Sequence, residues 1–153
     1  MNHENKAREL FRAGYNCSQA VLLAFSDVTG LDEKTATILS SSFGGGMGRL
    51  REVCGAVSGA FMVAGILWGY SDPTDHEAKK EHYALIQRIA QEFKKNNGSY
   101  ICRELLELPK GPSDPEPEKR TEAYYHRRSC EDYVGIAARV MDEIIAEKNS
   151  LAE

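Results

Sequence analysis

Apolar residues along this chain recur mainly at three- and four-residue intervals, and no alternating run of β-branched residues is closed by a hairpin turn. The pattern predicts an all-α protein. Leu10 and Phe11 anchor a short first helix from about Asn5 to Ala13, ended by Gly14. Asn16 is placed to cap a second helix, with Gln19 completing a capping box; Ala20, Val21, Leu23, Ala24 and Phe25 follow before a stop near Gly30. Asp32 caps a third, with Ala36, Ile38 and Leu39 as its apolar stripe. The glycines between Ser40 and Gly48 predict a loop. From about Cys54 to Trp68 the sequence is apolar nearly all round, the pattern of a helix enclosed by others. The expected architecture is therefore a compact helical bundle around a central apolar helix, about Val53 to Tyr70, in which Gly55 and Gly59 share one face.

Beyond it, Asp75 opens a long amphipathic helix to about Asn97, with Tyr83, Ile86, Ile89, Ala90 and Phe93 on one side. Ser99 reads as the cap of a short helix through Cys102, Leu105 and Leu106. Pro109 to Pro117 holds four of the five prolines and reads as a surface excursion. A brief helix fits Glu122 to Arg127. Ser129 then caps a last helix presenting Val134, Ile136, Ala137, Val140, Met141, Ile144 and Ile145 to the core.

At 153 residues, 42% hydrophobic and 27% charged, the chain fits one domain, residues 1–153. A net charge of −4 argues against nucleic acid as a partner. The apolar stretch from Val53 to Tyr70 is barely of membrane length and contains Gly55, Gly59, Gly65 and Gly69, so a buried helix is expected rather than a membrane span. The first residues, Met1 to Lys6, are polar and unlike a secretory signal. The expectation is a cytoplasmic protein, where structural disulfides are disfavoured and cysteines turn to metal binding or redox chemistry.

Those cysteines are Cys17, Cys54, Cys102 and Cys130, and none pairs as C-x-x-C, which argues against zinc ribbons and thioredoxin-type motifs. Each falls in the expected first turn of a helix, where free N–H groups and the helix dipole favour thiolate. Arg51, Arg103, Arg127 and Arg128 stand near three of them and push the same way. The plainer alternative is four small buried apolar residues. The glycine loop lacks the Lys-Ser/Thr of a phosphate-binding loop. His126 could serve Cys130 as a proton donor or ligand, but nothing fixes a partner for it; His76 and His82 read as solvated and His3 as part of a mobile end. Trp68 and Tyr70 suit core packing or a homodimer contact. No Ser-His-Asp set or carboxylate dyad can be argued, so a hydrolase has no support.

Cys54-Gly55-Ala56-Val57-Ser58-Gly59 reads C-G-A-x-x-G after the Phe43 to Gly48 glycine loop, with Tyr15-Asn16-Cys17-Ser18-Gln19-Ala20 before it and single cysteines at 102 and 130 after it. In these features, over nearly its whole length, the chain resembles the C-GCAxxG-C-C family of redox-active proteins, whose label writes the first two motif letters in the opposite order. A likeness between that family and the iron–sulfur portion of split-Soret cytochromes implies a 2Fe–2S cluster on Cys17, Cys54, Cys102 and Cys130. No C-x-x-C-H is present for covalent haem.

Three readings follow. The first is a four-cysteine metallocentre, iron–sulfur before zinc, for electron transfer or redox sensing with a redox partner protein. The second is a cofactor-free dithiol–disulfide protein in which Cys54 attacks. The third is a non-enzymatic helical interaction module. Whether the chain is an oxidoreductase or an electron carrier is not written in these residues.

Overall fold

The Asn16 capping box forms as expected: the Asn16 side chain accepts from the Gln19 backbone at 2.9 Å and the Gln19 side chain accepts from the Asn16 backbone at 3.0 Å. Asp32 and Asp75 cap their helices from one side only, their carboxylates accepting from the Thr35 and Ala78 backbones. The computed structural model describes residues 2–152. Its helices are α1 (His3–Arg12), α2 (Cys17–Ala24), α3 (Ser26–Thr29), α4 (Glu33–Ser40), α5 (Gly44–Met47), α6 (Gly55–Trp68), α7 (His76–Asn97), α8 (Cys102–Leu105), α9 (Glu122–Arg127) and α10 (Cys130–Ala152). A single 3-10 turn, Ser41–Phe43, joins α4 to α5. Among the described residues there is no strand, only an isolated antiparallel bridge between Val53 and Ile101. The all-α expectation holds. No described helix is long and apolar enough to cross a membrane.

Helix α6 is the central element. Ala56, Val57, Ala60, Val63 and Ala64 are fully buried in it, against α2 on one side and α7 and α10 on others. Helix α1 lies along α10, and Phe11, Phe25, Phe93, Leu22, Ile89, Met141 and Ile144 fill the space between the layers. At Gly59 a Cβ would stand 2.8 Å from the Ser18 carbonyl oxygen and 2.9 Å from the Val21 Cβ. The missing side chain lets α2 and α6 meet at backbone distance, as the shared glycine face predicted.

Several expectations need correcting. Ile38 and Leu39 are 61% and 51% exposed; α4 buries only the small Ala36 and Ser40, leaving the outer side of its expected stripe uncovered. Tyr83 is exposed and meets Tyr70 edge-on rather than joining Ile89, Ala90 and Phe93 in the core. Ser99 does not cap α8. Its hydroxyl accepts from the Ile101 backbone and donates to Glu104, and α8 starts at Cys102 without a side-chain cap. His3 is held between Asp27 and Asp142 and stacks on Phe25 at 4.1 Å, so that end of the chain is pinned. His82 is half-buried beside Tyr70. The core-packing expectation for Trp68 holds: it packs half-buried against the core, beneath Lys148 of the same chain.

The packing sets opposite outcomes for two glycines of α6. Gly59→Ala gains about 1 kcal/mol of helix propensity but meets backbone that cannot swing aside, an overpacking cost of about 1–3 kcal/mol. Gly65, with nothing within 4 Å of a built Cβ, has only the gain. Urea unfolding is expected to show a lowered midpoint for Gly59→Ala and a raised one for Gly65→Ala, with m unchanged in both.

Candidate functional site

Cys17, Cys102 and Cys130 are the first residues of α2, α8 and α10, and Cys54 is the residue on which α6 starts. The four helix starts converge, and all four cysteines line one cavity of about 230 Å³. All four are free thiols.

Backbone structure accounts for the convergence. The segment before α6 pairs with the segment before α8: Cys54 N–H donates to the Tyr100 carbonyl at 2.9 Å and Cys102 N–H to the Glu52 carbonyl at 2.6 Å. In this short antiparallel ribbon, centred on the Val53–Ile101 bridge, Cys54 lies opposite Tyr100 and Cys102 opposite Glu52, so the two cysteines sit diagonally across it on the same face. Cys17 reaches them because residue 55 is glycine: a Cβ there would run into the Cys17 sulfur and stand 2.8 Å from the Phe43 carbonyl oxygen. The motif glycines thus have separate tasks, Gly55 admitting a sulfur and Gly59 a helix backbone.

The glycine loop forms a wall of the cavity. Gly45, Gly46 and Gly48 have positive φ, as the sequence predicts. Met47, Arg49 and Arg51 share that left-handed region at φ 71°, 67° and 64°, where a side chain costs of order 1 kcal/mol or more per residue. Arg51 is buried; its Nη1 donates to the Cys102 sulfur at 3.6 Å and its Nε to Ser113 Oγ at 2.8 Å. Arg103 turns away instead and pairs with Glu52. Arg127 and Arg128 both pair with Glu118.

The proline segment is more than a surface excursion. Ser113 N–H donates to the Arg49 carbonyl, Arg49 Nε donates to the Asp114 carbonyl, and Pro117, Glu118 and Arg120 line the cavity. Its residues are largely exposed, yet its inner edge closes the site. Arg120 donates to the Phe11 and Tyr15 carbonyls at 2.8 and 3.0 Å and stacks over the Phe11 ring. Tyr124 and Tyr133 complete the lining, whereas His126 is exposed and lies outside it. The sequence reading missed Arg49, Arg120, Glu118, Tyr124 and Tyr133. Arg120 and Glu118 lie far from Cys17 in sequence, and even for Arg49, Tyr124 and Tyr133, near Cys54 and Cys130, sequence proximity does not say which side chains turn into the cavity.

Helix starts do act on the sulfurs, though they do not prevail. Burial pushes the Cys17 thiol up, outweighing a backbone hydrogen bond from Gly45. Burial holds Cys54 well above the ordinary thiol value, despite the Ala56 and Val57 N–H groups of α6. Cys130 is pushed up to about 12 by burial and then by the neighbouring Cys17 and Cys102, against Arg128 and Arg120. Tyr124 is likewise raised to about 12, by burial and by Cys130. The expected thiolates are therefore corrected to neutral thiols at Cys17, Cys54 and Cys130. Their mutual effect is itself a measure of proximity, since Cys54 is raised by Cys17 and Cys130 as well.

The family described as "Putative redox-active protein (C_GCAxxG_C_C)" matches residues 15–144. The chain belongs to this family. The matched span includes all four cysteines and all the cavity-lining residues except Phe11. No curated protein and no solved structure matches it.

Burial of neutral thiols has a consequence for stability. An unfolded thiol titrates near pH ~8.5, and the folded Cys130 near about 12. Between those values the folded chain keeps a proton that the unfolded chain has lost. The stabilisation is complete below the unfolded value and is lost as pH rises toward the folded one. Metal-free protein is expected to lose urea resistance across this alkaline window, and Cys130→Ser to lose less. Equal pH slopes for the two proteins would contradict a buried neutral thiol at 130.

Proposed function

We propose that this cavity is a one-electron redox centre in which Cys17, Cys54, Cys102 and Cys130 hold an iron–sulfur cluster of the 2Fe–2S type. The observation that carries the reading is the convergence of four unpaired thiols, from four helix starts, on one cavity of about 230 Å³. Four thiolates are the usual ligand set of such clusters. Zinc in a structural site would draw four ligands to a single point at about 2.3 Å. No group of three or more His, Cys, Asp or Glu side chains among the described residues is arranged to hold one metal ion. Sulfurs spread around a cavity wall suit a polynuclear group better than a lone ion.

When bound, the cluster supplies reversible one-electron transfer. The chain contributes the rest. Burial of Cys54 and Cys102 keeps water from the sulfurs. The N–H groups at the starts of α2 and α6 face Cys17 and Cys54 and stabilise their deprotonated form. Ligation requires the thiols to release their protons. The role that follows from this reading is that of an electron carrier or sensor working with a redox partner protein. Four free thiols fit a reducing compartment such as the cytoplasm.

The competing reading is a dithiol–disulfide exchange in which Cys54 attacks, with Cys17, whose sulfur lies against the adjacent Gly55, as the partner the geometry favours. The attacking thiol in such exchange must be a thiolate. Burial of Cys54 works against that role.

Anaerobic purification followed by metal and sulfide analysis separates the two. The expected result is two iron and two sulfide per chain, roughly the stoichiometry of that cluster class, with visible charge-transfer absorption that Cys54→Ser abolishes or greatly reduces. Protein lacking iron and sulfide, with an intramolecular disulfide involving Cys54 found by mass spectrometry after mild oxidation, would overturn the proposal in favour of exchange.

A further inference from the structure

Three guanidinium groups line the cavity without a carboxylate partner. Arg49, Arg51 and Arg120 all face it, and none of them forms an ion pair among the described residues. Arg128, by contrast, has a carboxylate partner in Glu118. Arg51 is the extreme case. It is 5% exposed, its charge meets only Ser113 Oγ and the Cys102 sulfur, and its backbone sits at φ 64°. Burying an unpaired charge is costly, and a non-glycine residue in that region adds strain. Two costs at one residue, on a loop otherwise rich in glycine, call for a counter-charge in the cavity.

We propose that Arg51, aided by Arg49, is the fixed counter-charge of the four-cysteine centre and raises its reduction potential. The inference rests on the iron–sulfur reading. Reduction adds one electron to the centre, supplied in the test by dithionite, and makes it more negative by one charge. A guanidinium a few ångströms from a ligand sulfur stabilises that added charge more than it stabilises the oxidised form. The N–H donated to the Cys102 sulfur works in the same direction. Ser113 positions the group through Nε, giving the proline segment a role in the tuning.

The test is a potentiometric titration of the reconstituted protein followed by visible absorption. Arg51→Met is expected to lower the reduced-to-oxidised ratio at a fixed potential at least tenfold, a shift of about 59 mV for one electron. Arg51→Lys, which keeps the charge, should recover most of the shift. Arg88→Met removes the same charge from the exposed pair with Glu147 and should leave the potential unchanged. If Arg51→Met does not fold, the half-buried Arg49→Met carries the test, with a shift in the same direction and of smaller size. A wild-type protein that takes up no cluster overturns both the iron–sulfur reading and this inference. A wild type that takes it up, with Arg51→Met or Arg49→Met titrating as the wild type does, overturns the inference alone.

Discussion

The backbone-distance approach of α2 to α6 is the contact on which the rest of the molecule depends. It needs two absent side chains, at Gly55 and Gly59, one turn apart on the same helix face. The second lets the helices touch, and the first lets the touching helices share a sulfur. Once α2 lies against α6, Cys17 and Cys54 are neighbours without any further device. The ribbon before α8 then brings in Cys102, and α10, packed along α1 and against α2 and α6, brings in Cys130. The motif that looks like a chemical signature in the sequence is, in the folded chain, mainly a packing signature.

Two opposing influences meet at the sulfurs, and their sizes decide the outcome. A helix start is worth about 0.3–1 kcal/mol to a nearby anion, and about 2 at best. Full burial can move a pKa by about 3–5 units, at roughly 1.4 kcal/mol each. Burial therefore prevails in the metal-free cavity, and the helix starts and arginines only moderate it. On the proposed reading, the same N–H groups and cations would become effective once positive metal charge entered and the thiols deprotonated.

Much of the scaffold was legible in the sequence because its signals are local. The Asn16–Gln19 box, the Asp32 and Asp75 caps, the apolar run of α6 and the placement of four cysteines at helix starts all depend on neighbours within a few residues. Ile38 and Leu39 misled because periodicity shows which face is apolar, not whether another helix arrives to cover it. Ser99 misled because a serine near a helix start can serve an ST turn as readily as a cap. The cavity wall was the least legible part. Arg49 and Arg120 join it through a proline segment that folds back over the glycine loop, a tertiary event with no periodic trace. The ionisation of the thiols was misjudged because burial depends on the whole fold, whereas helix position can be read from a few residues.

The spacing of the cysteines along the chain carries one more consequence. Positions 17, 54, 102 and 130 divide nearly the full length of the polypeptide into loops of tens of residues. An occupant gripped by all four would act as a multi-point cross-link, and tethers of that length can remove roughly 3–5 kcal/mol of disordered-chain entropy each if they behave as disulfides do. Loss of the occupant would then release four anchor points at once and slacken the whole architecture together. Damage to the centre would be advertised as a loosened chain, a form that cellular proteases recognise.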